Sequence, residues 1–126
     1  MWCPSTQQVL LFHGKLIART GGSAGIRSLP LIESALNRFY AAFGGEELYP
    51  SIEEKAAAVA CGLIQNHGFI DGNKRIGAAT LLLLLKRNGV ALSYTQQELV
   101  DITLSIACSK ADTHALVQWI HQHKTR

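Results

Sequence analysis

The sequence has little cysteine and little proline, three of each in 126 residues, and no block of like charges. Cys3, Cys61 and Cys108 form an odd set with no metal-ligand spacing, so neither a disulfide scaffold nor a zinc site is indicated and a reducing compartment is expected. No stretch reaches the ~20 apolar residues a membrane span needs. The most apolar run is Ile76 to Leu85, and the start of the chain shows no basic region followed by an apolar one. A cytoplasmic protein without a membrane partner is therefore expected. A net charge of +3 without a basic tract gives no reason to expect direct nucleic-acid binding. What is present is 48% hydrophobic and 17% charged, with two Trp, three Tyr and four Phe, which excludes a disordered chain. The length suits one domain over residues 1–126 with a real core.

Apolar residues recur at helical spacing almost throughout. Val9, Phe12, Leu16 and Ile17 follow a Ser5/Gln8 capping box, and Gly21 and Gly22 end that helix. A second stripe, Ile32, Ala35, Leu36, Phe39, Tyr40 and Phe43, follows Ser28 as N-cap and stops at Gly44 and Gly45. Ser51 and Glu54 open a third helix, with Ile52, Ala56, Val59, Ala60 and Leu63 on one face leading towards His67. A fourth is expected from about Asn73 to Asn88, closed by Gly89; its five leucines, Leu81 to Leu85, place it at the centre of a bundle. Thr95 and Glu98 start a fifth, and Ser109 and Asp112 a sixth carrying Leu116, Trp119 and Ile120. Only Val90 to Tyr94 reads as extended. The expectation is an all-α, compact bundle of about six helices around a central apolar helix, with Gly21–Ser28 and Gly44–Ser51 as exposed, mobile segments.

Chemistry concentrates at His67-Gly-Phe-Ile-Asp-Gly-Asn-Lys-Arg75. Lys74 and Arg75 stand in the first turn of the fourth helix, where the helix dipole disfavours cations by a few tenths of a kcal/mol each. An anion bound there reverses the sign, because backbone N–H groups, dipole and both side chains then meet one negative ligand. Gly72 lets the backbone turn sharply and approach such a ligand. His67 is a candidate general base, and Asp71 a carboxylate able to hold Mg2+ against phosphate oxygens. A base, a metal and cationic clamps are the requirements of phosphoryl or nucleotidyl transfer. The plain structural alternatives are a capping histidine, Asp71 as N-cap, Asn73 as turn former and a solvated basic pair; they leave the cations at the wrong helix end unexplained.

His67, Phe69, Asp71, Gly72, Asn73 and Arg75 resemble the His-x-Phe-x-Asp/Glu-Gly/Ala-Asn-x-Arg motif of Fic/Doc proteins, and with Lys74 the match is closest to the death-on-curing (Doc) toxins. Gly25 to Leu36 and Leu85-Lys-Arg-Asn-Gly89 are similar to that branch as well, so the resemblance runs over roughly residues 20 to 100. It implies an all-α Fic fold in which His67 takes the proton of a target protein's hydroxyl. Asp71 would hold Mg2+, Gly72, Asn73, Lys74 and Arg75 would surround phosphates, and Phe69 would anchor the loop. ATP or another nucleoside triphosphate is the implied co-substrate. Two departures separate the chain from most Fic AMP transferases: Lys74 replaces a Gly, and Ala78 stands where they have a second Arg. Doc-type relatives with this lysine resemble kinases, with a translation elongation factor as target, which favours transfer of the terminal phosphoryl group over transfer of AMP. A cognate antitoxin from another chain is the implied partner, since the sequence contains no Ser/Thr-x-x-x-Glu/Asp-Gly-Asn stretch that would mark an internal inhibitory helix.

A catalytically weak antitoxin-binding module and a metal hydrolase built on His67 and Asp71 are the competing readings; the second lacks further ligands at suitable spacing. Of the remaining candidates, His121 and His123 read as a solvated tail, His13 as a core histidine and Cys61 as core packing. Leu48 and Tyr49 follow the Gly44–Gly45 turn, and the resemblance places them in the flap that, in the family, docks an extended target segment.

Overall fold

Capping decides where most of the helices begin. The computed structural model describes residues 1–125. Ser5, Ser51 and Thr95 each accept a hydrogen bond from the N–H three residues on, and Gln8, Glu54 and Glu98 reciprocate. These boxes open α1 (Thr6–Thr20), α3 (Ile52–Asn66) and α5 (Gln96–Ala107). Ser28 caps α2 (Leu29–Asn37), Gly72 precedes α4 (Asn73–Arg87) and Asp112 caps α6 (Thr113–His123). Among the described residues the fold is all-α with six α-helices, as expected.

Two boundaries and the identity of the central helix differ from the sequence reading. The second helix does not continue to Phe43: α2 ends at Asn37 and gives way to a single 3₁₀ turn, Arg38–Tyr40. The chain then forms a hairpin of β1 (Ala42–Phe43) and β2 (Glu46–Glu47), with Gly44 and Gly45 both at positive φ in its turn. Gly44 and Gly45, between Phe43 and Glu46, therefore close a hairpin, not a helix, and Tyr40 and Phe43 stand exposed. The cap of the sixth helix is Asp112 and not Ser109, which adopts a left-handed turn after α5.

The third difference concerns the centre. Eleven of the fifteen residues of α3 are buried, and α2, α4, α5 and α6 all pack on it. Ala56, Ala57, Ala58, Ala60 and Gly62 keep its surface thin enough for neighbours on every side; a Cβ on Gly62 would lie 2.9 Å from that of Ala35. In α4, Leu81, Leu84 and Leu85 are buried but Leu82 and Leu83 only half so. The central helix is thus the alanine-rich α3, with the leucine-rich α4 against its flank.

Lys55 is buried in this centre, its ammonium 3.1 Å from the Phe39 carbonyl and 3.2 Å from the Glu47 carboxylate. That pair ties the hairpin to α3. Within Val90–Tyr94, expected to be extended, Leu92 forms an isolated antiparallel bridge with Lys124 after α6. Among the described residues no helix is long and apolar enough to cross a membrane.

Candidate active site

The motif loop joins α3 to α4, and its entry is strained. His67 ends α3 at φ 51°, ψ 47°, a left-handed conformation that costs a residue with a Cβ on the order of 1 kcal/mol. Arg27 Nε donates to the His67 carbonyl at 2.8 Å, and the amides of Arg27 and Ser28 both donate to the Gly68 carbonyl. Gly68 has no space for a Cβ, which would collide with Ile32. Packing against α2 and its cap therefore holds the chain in a geometry that turns the His67 side chain outwards, exposed on a cavity wall.

Beyond His67 the loop pairs with a segment expected to be mobile. Ile26 and Phe69 form an antiparallel bridge, the Ile70 N–H donates to the Gly25 carbonyl at 3.1 Å, and Ser23 N–H donates to Asp71 Oδ2 at 3.1 Å. Residues 23–28 are pinned along the motif. Gly22 is required by closeness, since a Cβ there would lie 2.5 Å from Asp71 Oδ2 and 2.8 Å from an Arg75 nitrogen.

Asp71 is half-exposed. The amide of Ser23, then that of Gly72, hold its carboxyl below the ordinary aspartate range, with the Arg75 guanidinium adding to them. It is an ionised acceptor beside the cavity, with hydrogen-bond donors on each oxygen and further lone pairs open. Among the described residues no group of three or more His, Cys, Asp or Glu could enclose a metal ion. A single carboxylate does fit Mg2+ in the mode where substrate phosphates and water complete its shell.

Gly72 carries no side chain to cap α4, so the first-turn amides lack a capping partner. Asp71, the alternative N-cap in the sequence reading, accepts instead from Gly72 itself. The Asn73 side chain turns back on the loop, accepting from Phe69 N–H at 3.1 Å and donating to Phe69 O at 3.0 Å. Arg75 spans to α1, donating to Thr20 Oγ1 and the Gly21 carbonyl, both at 2.6 Å, with its other nitrogen 3.7 Å from Asp71 Oδ1. Lys74 is exposed and, among the described residues, makes no hydrogen bond or ion pair.

His67, Asp71, Gly72, Asn73, Lys74 and Arg75 thus all line one cavity of about 650 Å³, closed on its far side by Ala107 and Cys108 at the end of α5. Gln65 helps set that wall by donating to the Ile106 carbonyl at 3.2 Å. Lys74 and Arg75 also border a second, apolar cavity of about 180 Å³, lined by Ala78, Leu99, Val100 and Leu104. Among the described residues, Lys74 is the site residue whose charged group has no partner.

Several contributors were not legible beforehand. Thr20, Gly22, Ser23 and Arg27 lie 40 to 55 residues from their partners and carry no local signal beyond the turn glycines. Phe69 is buried as the resemblance implied, and it stacks on His13, a core histidine as expected. His123 is no solvated tail: it stacks on Trp119 and meets Glu98 at 3.0 Å. Cys61 packs in the core.

Comparison with known proteins agrees with the geometry. The chain is 38% identical over 73 residues to Toxin Doc of Mycolicibacterium smegmatis, a match covering 58% of this chain and 56% of that protein. It is 27% identical over 118 residues to Protein kinase doc of Escherichia phage P1, covering 94% of this chain and 92% of that protein. The model of the Fic/DOC family matches residues 3–85. With its motif loop folded around one cavity and the family match spanning well over half its length, the chain belongs to the Fic/Doc family.

Proposed function

We propose that this protein is a Doc-like toxin that transfers the terminal phosphoryl group of a nucleoside triphosphate to a hydroxyl of a target protein. The observation that carries the reading is Lys74: an ammonium without a partner among the described residues, at the uncapped start of α4, between His67 and Asp71 on one side and an apolar cavity on the other. An anion completes this arrangement; without one the ammonium faces the positive end of the helix dipole.

In this reading Lys74, Arg75 and the first amides of α4 gather the phosphate oxygens, and Asp71 holds Mg2+. The ion, when bound, neutralises charge on the phosphates. His67 takes the proton of the target hydroxyl as that oxygen attacks the terminal phosphorus; the bond from that phosphorus to the bridging oxygen breaks, the nucleoside diphosphate leaves, and Lys74 stabilises charge on the transferred group. The apolar cavity beside Ala78 suits the nucleobase end of such a ligand, and Ala78 leaves that wall without a second arginine. The relative named Protein kinase doc supports phosphoryl over AMP transfer. Control by a cognate antitoxin is part of the same proposal, supported by the relative named Toxin Doc. A translation elongation factor is the target the Doc resemblance implies.

The test uses the protein, its target and ATP labelled in one phosphate. Label from the gamma position should enter the target and label from the alpha position should not. Entry of alpha label makes the protein an AMP transferase, and no entry from either position with antitoxin binding intact makes it a binding module.

A further inference from the structure

We infer that His13 is a positioning residue of this site: from α1 it sets the orientation of the Asp71–Gly72 peptide and, through that peptide, of the Asp71 carboxylate. The inference rests on the phosphotransfer reading only for its kinetic consequence.

His13 is 58 residues from its partner and does not line the cavity. It is 3% exposed, on the buried stripe Val9, His13, Ile17. Its Nε2 lies 2.7 Å from the Asp71 carbonyl oxygen. A carbonyl only accepts, so the proton of this bond belongs to Nε2. The ring face lies on Phe69, with centroids 3.8 Å apart and planes 13° from parallel. Held at one edge and one face, the imidazole has a single orientation.

What distinguishes it from any satisfied core histidine is the group it holds. The same Asp71–Gly72 peptide that accepts from His13 donates its N–H to Asp71 Oδ1 at 2.7 Å. A peptide is planar, so fixing the carbonyl on one edge fixes the N–H on the other. Gly72 sits at φ +78° with no Cβ, the residue type least able to choose between two orientations of the peptide before it. If that peptide turned over, its carbonyl would face the carboxylate and repel it. His13 supplies the donor that selects the orientation. Ile17 lies beneath the same point, since a Cβ on Gly72 would be 3.0 Å from Ile17 Cδ1 and 3.4 Å from His13 Nε2. The role assigned to α1 is thus to hold the carboxylate side of the site, while Asn73 holds the backbone of Phe69 from within the loop.

The test separates donor from packing. His13→Phe keeps a ring against Phe69 and removes the donor; His13→Gln keeps an N–H at the same reach and loses the stack. In the intact protein, long-range 1H–15N spectra should show the His13 proton on Nε2; a proton on Nδ1 alone overturns the inference. The Gly72 amide resonance should move in His13→Phe and return towards its original position in His13→Gln. The Mg2+ concentration for half-maximal transfer should rise about tenfold in His13→Phe, as losses behind a metal-binding group do, and be largely restored in His13→Gln. A folded His13→Phe with unchanged Gly72 amide and unchanged Mg2+ dependence overturns the inference. If His13→Phe does not fold, the ring proton and the Gly72 amide of His13→Gln decide, and a displaced amide there counts against it. Absence of ATP-dependent transfer in the unmutated protein defeats the phosphotransfer reading alone, because the spectroscopic measurements still judge His13.

Discussion

Asn73 grips Phe69 by both backbone groups, accepting from its N–H at 3.1 Å and donating to its carbonyl at 3.0 Å. A carboxamide is the side-chain group that offers one acceptor and one donor at this separation, so Asn73 shapes the loop; in the proposed reading the anion meets the α4 amides and Lys74. Asn73→Asp retains the acceptor and loses the donor. We expect it to destabilise the fold by about 1–3 kcal/mol, since a buried carbonyl is left unpaired, and to lower transfer. Denaturant titration alongside nucleotide binding checks this. Wild-type stability with lost nucleotide binding would instead make Asn73 a direct phosphate ligand.

His67 is held at positive φ where glycine would be relaxed. His67→Gly is therefore expected to stabilise by about 1 kcal/mol, raising Tm by roughly 3–5 °C, while abolishing transfer. Calorimetry and a transfer assay on the same preparation check both halves. Transfer at the original rate would remove the imidazole from the mechanism.

Lys74 is exposed and makes no hydrogen bond or ion pair among the described residues, so Lys74→Gly should leave the folded state intact apart from the ~1 kcal/mol propensity cost of glycine in a helix. Gamma-phosphoryl transfer should fall sharply, at least tenfold, because charge stabilisation on the moving group is lost. With Ala78 in place of a second arginine, no efficient AMP transfer should replace it. Single-turnover measurements with each label give the answer, and an unchanged gamma rate would count against Lys74 as the residue that orients the triphosphate.

Glu98 and His123 make the fold pH-dependent. The His123 ring and the Thr95 cap hold the Glu98 carboxyl down to about 2 from 4.5, and Glu98 raises His123 above 6.5. A lowered acid stabilises fully above its unfolded value and loses that contribution as pH falls towards the folded one; a raised base stabilises fully below its unfolded value and loses it as pH rises through the folded one. Both contributions are therefore complete only between about 4.5 and 6.5. Tm should peak in that window, and Glu98→Gln should flatten the profile. A peak that survives the substitution would place the titrating group elsewhere.

The all-α class, the capping boxes at Ser5, Ser51 and Thr95, and the motif from His67 to Arg75 were legible in the sequence. Periodicity and caps act within a few residues, and helix termini obey them almost wherever they lie. The end of α2 was not legible, because Phe39 and Phe43 keep a helical spacing that the Gly44–Gly45 turn and the Lys55–Glu47 pair override. Nor was the central place of α3: alanine is a weak hydrophobic signal, yet a thin helix is the one that neighbours can surround. The motif residues themselves can be named from the sequence, and the fold gathers them on one cavity. Tertiary structure alone decided how they are held, for Arg27 on His67, Ser23 on Asp71, Thr20 on Arg75 and His13 on the Asp71 carbonyl are contacts across 40 to 58 residues. Such contacts follow from packing, which fixes distance in space, and no local pattern along a chain encodes that distance.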